Sequence, residues 1–228
     1  MQNYQTPLDS GQIYHVWTHA NGNENLFREE RNYSFFLGKY IKHISPIADT
    51  FAYCLMPNHL HLMVRIKSEE DVMEFVKLKK KFPTLQGFET LGGLGNVISR
   101  QFSHLFNSYT QAYNKVYDRK GSLFIPNFKR KHINSDKYYL SLLAYIHLNP
   151  VHHGFVIHPD EWKHSSWHAY NLEKQTQLRK KEVFDWSGGK DRLIKFHEDI
   201  RLEKLKRMFE NEDEPIAFKE MIYSHLYK

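Results

Sequence analysis

The spacing of apolar positions changes along this chain, and those changes sort its elements. Residues 13–19, Ile-Tyr-His-Val-Trp-Thr-His, are β-branched and aromatic, alternate loosely and stop at Asn21-Gly22. This predicts a first strand ended by a turn. From 32 to 44 the period lengthens: Phe35, Phe36, Leu37, Tyr40, Ile41 and Ile44 recur at helical spacing, with Lys39, Lys42 and His43 between them. Two strand-like runs follow at 50–55 and 59–66, parted only by Met56-Pro57-Asn58, which predicts a tight hairpin. Residues 68–81 predict a helix with a basic end, and 86–95 a Gly-rich loop. A longer helix is expected over 96–117, its broad apolar face carrying Val97, Ile98, Phe102, Leu105, Phe106, Tyr109 and Tyr113. Gly121 stands where a helix stop is expected. Residues 122–128 predict a strand, with Pro126 arguing for an edge or bulge, and Lys129, Arg130, Lys131 and His132 extend it with charge. Asn134 and Ser135 offer an N-cap to a helix reaching 148 and ended by Asn149-Pro150.

That order, β-α-β-β-α-β-α, predicts an α+β fold: a ferredoxin-like (RRM-like) antiparallel sheet backed by helices. Beyond Gly154 the pattern weakens to a polar tail rich in Lys and Glu, with helical segments expected at 192–209 and 218–227.

Composition narrows the function classes. At 41% hydrophobic and 25% charged residues the chain reads as a folded globular protein and not a disordered one. Its single cysteine, Cys54, excludes an internal disulfide and any zinc site built on several cysteines, and fits a reducing cytoplasm. No apolar run approaches the ~20 residues of a membrane span, so a cytoplasmic protein with no membrane partner is expected. The net charge of +6 leans toward a polyanionic partner. An aromatic share of 15% is compatible with base stacking, although cores also consume aromatics.

The candidate chemistry lies in two places. In the strand at 59–66, alternation puts His59 and His61 on one face and Leu60 on the other, so both imidazoles can share a metal; in a chain with 15 histidines such a pair also arises by chance. In the last core helix, Tyr138, Leu142, Tyr145 and Asn149 follow at steps of four, three and four and share a face. Core packing explains most of that stripe, but a primary amide at a helix end is a poor core residue without partners. Its oxygen can instead ligate a hard divalent metal, with Tyr145 standing one turn away. A tyrosine is a competent covalent nucleophile toward phosphorus, and a metal with open positions polarises the phosphate.

At this point the residues carry a resemblance. Met56-Pro57-Asn58-His59-Leu60-His61-Leu62-Met63-Val64, Arg119-Lys120-Gly121-Ser122-Leu123-Phe124, Tyr145-Ile146-His147-Leu148-Asn149-Pro150-Val151 and the stretch from Trp162 to Tyr170 resemble, in order and spacing, blocks of the REP-associated tyrosine transposases, single-tyrosine nucleases of the HUH type. The likeness spans roughly residues 10–170. It departs from the family pattern at Ile125-Pro126-Asn127-Phe128, and residues 77–95 and the tail beyond Asn171 match no motif. The resemblance implies that His59, His61 and Asn149 ligate Mg2+ or Mn2+ and that Tyr145 is the nucleophile. It also implies a single-stranded DNA substrate, often with a hairpin, cut and rejoined through a covalent 5′-phosphotyrosine. It leaves monomer and homodimer open. The expected organisation is a catalytic domain over 1–170 and a mainly helical C-terminal extension over 171–228. Arg119, Lys120, Lys129, Arg130 and Lys131 are the candidate DNA contacts. Lys77, Lys79, Lys80 and Lys81 form a charge run that reads equally as solvated helix surface. His147 faces away from Tyr145 and reads as solvent-facing or as a structural hydrogen-bonding residue, Cys54 reads as buried and unreactive, and Trp162, Trp167 and Tyr170 read as packing in preference to stacking on unpaired bases. Two other readings compete: a binding module whose aromatic sheet stacks on single strands without catalysis, and a metal-dependent nuclease in which water attacks and Tyr145 is structural.

Overall fold

The computed structural model describes residues 6–79 and 93–210. Four strands form one antiparallel sheet: β1 (Ile13–His19), β2 (Ala48–Leu55), β3 (His59–Ile66) and β4 (Lys129–Ile133), in the order β2-β3-β1-β4. Around them the helices are α1 (Glu30–His43), α2 (Glu69–Lys79), α3 (Leu94–Val116), α4 (Asp136–His147), α5 (Asn149–His152), α6 (Trp167–Asn171), α7 (Lys180–Ser187) and α8 (Lys190–Glu210). This is the α+β, ferredoxin-like arrangement that the order of elements predicts.

Register decides what each face carries. β1 pairs with β3 through Tyr14↔Val64, Val16↔Leu62 and Thr18↔Leu60, and with β4 through Tyr14↔His132 and Val16↔Arg130. Directly paired residues project to the same side, so these make the face toward α1 and α3. Two cross-links mark it: the Tyr40 hydroxyl of α1 shares a 2.7 Å hydrogen bond with Thr50 of β2, and Arg130 of β4 donates to the Ser99 hydroxyl of α3 at 3.2 Å. Phe36 of α1 meets Tyr109 of α3 edge to face, 5.3 Å between ring centroids.

The Tyr109 hydroxyl donates to the Leu26 carbonyl at 2.5 Å, and the ring is 1% exposed. Tyr109→Phe keeps the ring and leaves that buried carbonyl one partner short. It should lower unfolding free energy by about 1–2 kcal/mol, read as a shift in the urea midpoint; an unmoved midpoint would mean that water takes the place of the phenol.

Contacts divide the chain into two compact units, residues 1–50 with 55–134, and residues 51–54 with 135–228. Residues 135–170 therefore group with the C-terminal helices. Within the second unit Ala144, Leu148, Val151 and Ile157 form a buried cluster on which Val156, Phe196 and Ile200 pack. Trp186 of α7 lies between Phe51 and Tyr139, at 4.8 and 5.0 Å.

Three boundaries differ from the sequence reading. The fourth strand begins at Lys129 and not at 122; Phe124 makes only an isolated bridge to Ala20, and Asn127 has φ of 60°, which breaks extended pairing. After α3 the left-handed position is Asp118, φ 46°, while Gly121, φ 86°, serves the next turn. Asn149-Pro150 does not end the helical run but opens α5. A proline is well suited to a first turn, where its missing N–H has no helical partner to lose. Residue 94 is already helical, whereas most of the Gly-rich loop, Lys80, Lys81 and the 218–227 segment lie outside the described residues.

Candidate active site

The sheet face away from α1 and α3 is where the predicted histidines stand. Register places His59 opposite His19, His61 opposite Trp17, and Met63 opposite His15. Across the other edge of β1, Lys129 lies opposite Trp17 and Lys131 opposite His15. His59 and His61 are 3% and 4% exposed and meet edge to face with centroids 5.2 Å apart.

Each ring is oriented through Nδ1. His59 Nδ1–H donates to the Asn58 side-chain oxygen at 2.8 Å, and His61 Nδ1 shares a 2.9 Å hydrogen bond with His15 Nε2. With the proton on Nδ1, the lone pair of each ring belongs to Nε2, the arrangement in which imidazole ligates a metal while its other nitrogen is fixed by a neighbour. His15 stacks on Trp17 at 4.5 Å, and burial, with Lys131 beside it, pushes its pKa down to about 4. A neutral ring there can accept from His61. Among the described residues no three His, Cys, Asp or Glu side chains are grouped to hold a metal. The donor chemistry on this face is two imidazoles.

In the second unit, Tyr145 is 39% exposed while its neighbours Ala144 and Ile146 are fully buried. Its side chain is hydrogen-bonded to Asn149, which sits at the first position of α5 and is 0% exposed. Burial raises the phenol above its ordinary range, and the Asn149 contact works the other way. The His152 ring lies 5.5 Å from that of Tyr145. Core packing accounts for Leu142 at 8% exposure but not for Tyr138 at 57%. The two predicted clusters thus fall in different units, His59 and His61 in the first, Tyr145 and Asn149 in the second.

The basic candidates separate by partner. Arg119 is held within the fold: it donates to Glu24 at 2.8 Å, to Asn114 at 3.0 Å and to the Ser122 carbonyl at 2.9 Å. Lys120 and Lys131 are exposed. Lys129 and Lys131 project on the histidine face, and Arg130 on the other. Cys54 is fully buried, which pushes its thiol pKa above the usual range. Trp167 and Tyr170 are buried, and the Tyr170 hydroxyl donates to the Phe51 carbonyl at 2.6 Å.

His147 is structural, through a network the sequence does not announce. His197 Nδ1–H donates to the Leu193 carbonyl at 2.8 Å, so its Nε2 accepts from His147 Nδ1–H at 3.0 Å. His147 Nε2 then accepts from the Ser166 hydroxyl at 2.7 Å, and Ser166 Oγ accepts from the Tyr53 amide at 2.9 Å. One carbonyl at the end of the chain sets the tautomer of both rings. The sequence reading also passed over His15, whose signal was the alternation His15, Trp17, His19; its pairing with β3 becomes visible only with the register.

No family model matches this chain. A curated Haemophilus influenzae (strain Rd) protein described as a REP-associated tyrosine transposase is 29% identical over 151 residues, covering 64% of this chain and 71% of its own. Among solved structures, one described as a REP-associated tyrosine transposase bound to a REP hairpin has the same fold. It superposes with a TM-score of 0.54 at 18% identity, over 76% of this chain and 87% of its own. The chain is thus similar in sequence to one REP-associated tyrosine transposase and shares the fold of another.

Proposed function

We propose that this chain acts on DNA as a transposase-type transesterase, cleaving and rejoining a single strand beside a hairpin through Tyr145. The observation that carries the reading is the pair His59 and His61, buried on one sheet face with each ring engaged at Nδ1. A sheet that only bound strands would have no need of two oriented imidazoles.

His59 and His61, with the Asn149 amide oxygen, are the residues that would hold Mg2+ or Mn2+. When bound, such an ion supplies Lewis-acid polarisation of the phosphate and stabilises the leaving oxygen. The Tyr145 oxygen forms a bond to phosphorus as the bond from phosphorus to the 3′ oxygen breaks. The phenolic proton is lost to solvent, and the 3′ oxygen leaves as a hydroxyl after taking one up. The product is a 5′-phosphotyrosine, and attack by a 3′ hydroxyl reverses the step and rejoins a strand. Asn149 orients the phenol before the reaction. Lys129 and Lys131, on the histidine face, contribute charge along the DNA backbone.

The reading is tested by incubating the full chain with labelled hairpin oligonucleotides drawn from the surroundings of its own gene, with Mn2+, Mg2+ or EDTA. The expected result is a protein–DNA band that survives denaturing electrophoresis and requires metal. Tight binding with no such band at any metal concentration would move the assignment to a binding module. Cleavage without a covalent band would favour attack by water.

His15 enters as a positioning residue for His61. His15→Ala should weaken Mn2+ binding about 10- to 100-fold, read by electron paramagnetic resonance of free Mn2+. His15→Gln, which retains a hydrogen-bonding atom, should recover part of the loss. Equal affinity in all three proteins would remove His15 from this role.

A further inference from the structure

Helix α3 has two dissimilar sides. One is the apolar side facing the sheet; along the other, Asn96, Ser99, Ser103, Asn107 and Thr110 succeed one another at steps of three or four residues, with Gln111 four beyond Asn107, which aligns them into a stripe. The stripe is one wall of an open groove of about 1000 Å³. The facing wall is the irregular 121–128 segment with Phe124 and Phe128, and Thr18 of β1 lies at the floor. Thr18 is 1% exposed, and its hydroxyl has no hydrogen-bond partner among the described residues.

The groove is rich in neutral donors and acceptors and poor in charge. Arg130 is its one cationic lining residue among those described, poised over the Phe128 ring at 5.2 Å and tied to the Thr6 carbonyl at 2.5 Å; Asp9 is its one carboxylate. A phosphate rail would need a row of cations. Amides, hydroxyls and aromatic rings instead suit the edges and faces of unpaired bases.

Position makes the groove more than a polar cleft. Thr18 is paired with Leu60, so the groove opens on the face opposite His59 and His61, and the edge strand β4 separates the two. β4 turns Arg130 to the groove side and Lys129 and Lys131 to the histidine side. We infer that this groove reads unpaired bases of the DNA strand, whose backbone passes over the β4 edge to the histidine face. This deepens the proposed function and rests on DNA being the substrate.

The test uses the full chain, a hairpin oligonucleotide with a single-stranded flank, the same hairpin with an abasic flank of equal length, and the blunt hairpin. Asn107→Ala combined with Gln111→Ala, both exposed on the outer turns of α3, should weaken binding of the flanked hairpin by about 10-fold or more. The same variant should bind the blunt hairpin as the wild type does, and the wild type should bind the abasic flank as weakly as the variant binds the flanked hairpin. No loss in the variant, or an equal loss on flanked and blunt hairpins, would overturn the inference. Adduct formation by the wild type on the flanked hairpin is scored separately, so a failed transesterase reading and a failed base-reading groove give different results.

Discussion

Tyr145→Phe should abolish the covalent protein–DNA band and depress strand cleavage by roughly 10³-fold or more, while hairpin binding stays within about twofold of wild type. The ring is 39% exposed and packs on His152 at 5.5 Å. Phenylalanine retains both features and deletes only the hydroxyl with its link to Asn149. A half-exposed site tolerates this without a cavity, so an intact melting temperature is part of the expected result. Residual cleavage near the wild-type rate would make Tyr145 a structural residue and water the attacking group.

The second large effect is on stability. Burial holds the His197 ring at a pKa of about 4, against a reference near 6.5 for the unfolded chain. The ring meets His147 of α4, Trp167 of α6 and the Leu193 carbonyl of its own helix, and its cavity also contains Asp160, Glu198 and Arg201. Because the folded pKa is depressed, the unfolded chain binds more protons between these values. The stabilisation is therefore fully present above pH 6.5 and is lost as pH falls toward 4, by about 3 kcal/mol from this ring alone. Denaturant unfolding from pH 7.5 to 4 should show that decline in the wild type and a shallower one in His197→Gln, whose side chain does not titrate. Parallel slopes in the two proteins would show that His197 does not govern the acid lability.

Local pattern was enough for much of the fold. Period-two alternation put His59 and His61 on one side of β3, and the apolar stripe from Val97 to Tyr113 located α3, because both signals are repeated many times within one element. Boundaries written by one or two residues were misread. The 122–128 run has strand-like composition, yet Asn127 takes a left-handed backbone; and Asn149-Pro150 is as compatible with a first turn as with a stop. Interactions between distant segments left no local trace. His147 and His197 are 50 residues apart, and His15 joins His61 across 46. The local sequence around each of these rings does not say which distant ring it meets.

β4 also has a consequence when no nucleic acid is near. It closes one side of the sheet with a row of backbone groups that a strand from a second molecule could pair with, the usual route to sheet-to-sheet aggregation. Lys129, Arg130 and Lys131 place three positive charges on that short strand, so two copies approaching edge to edge repel each other. The basic residues proposed to meet DNA thus also disfavour edge-to-edge pairing of two copies through this strand.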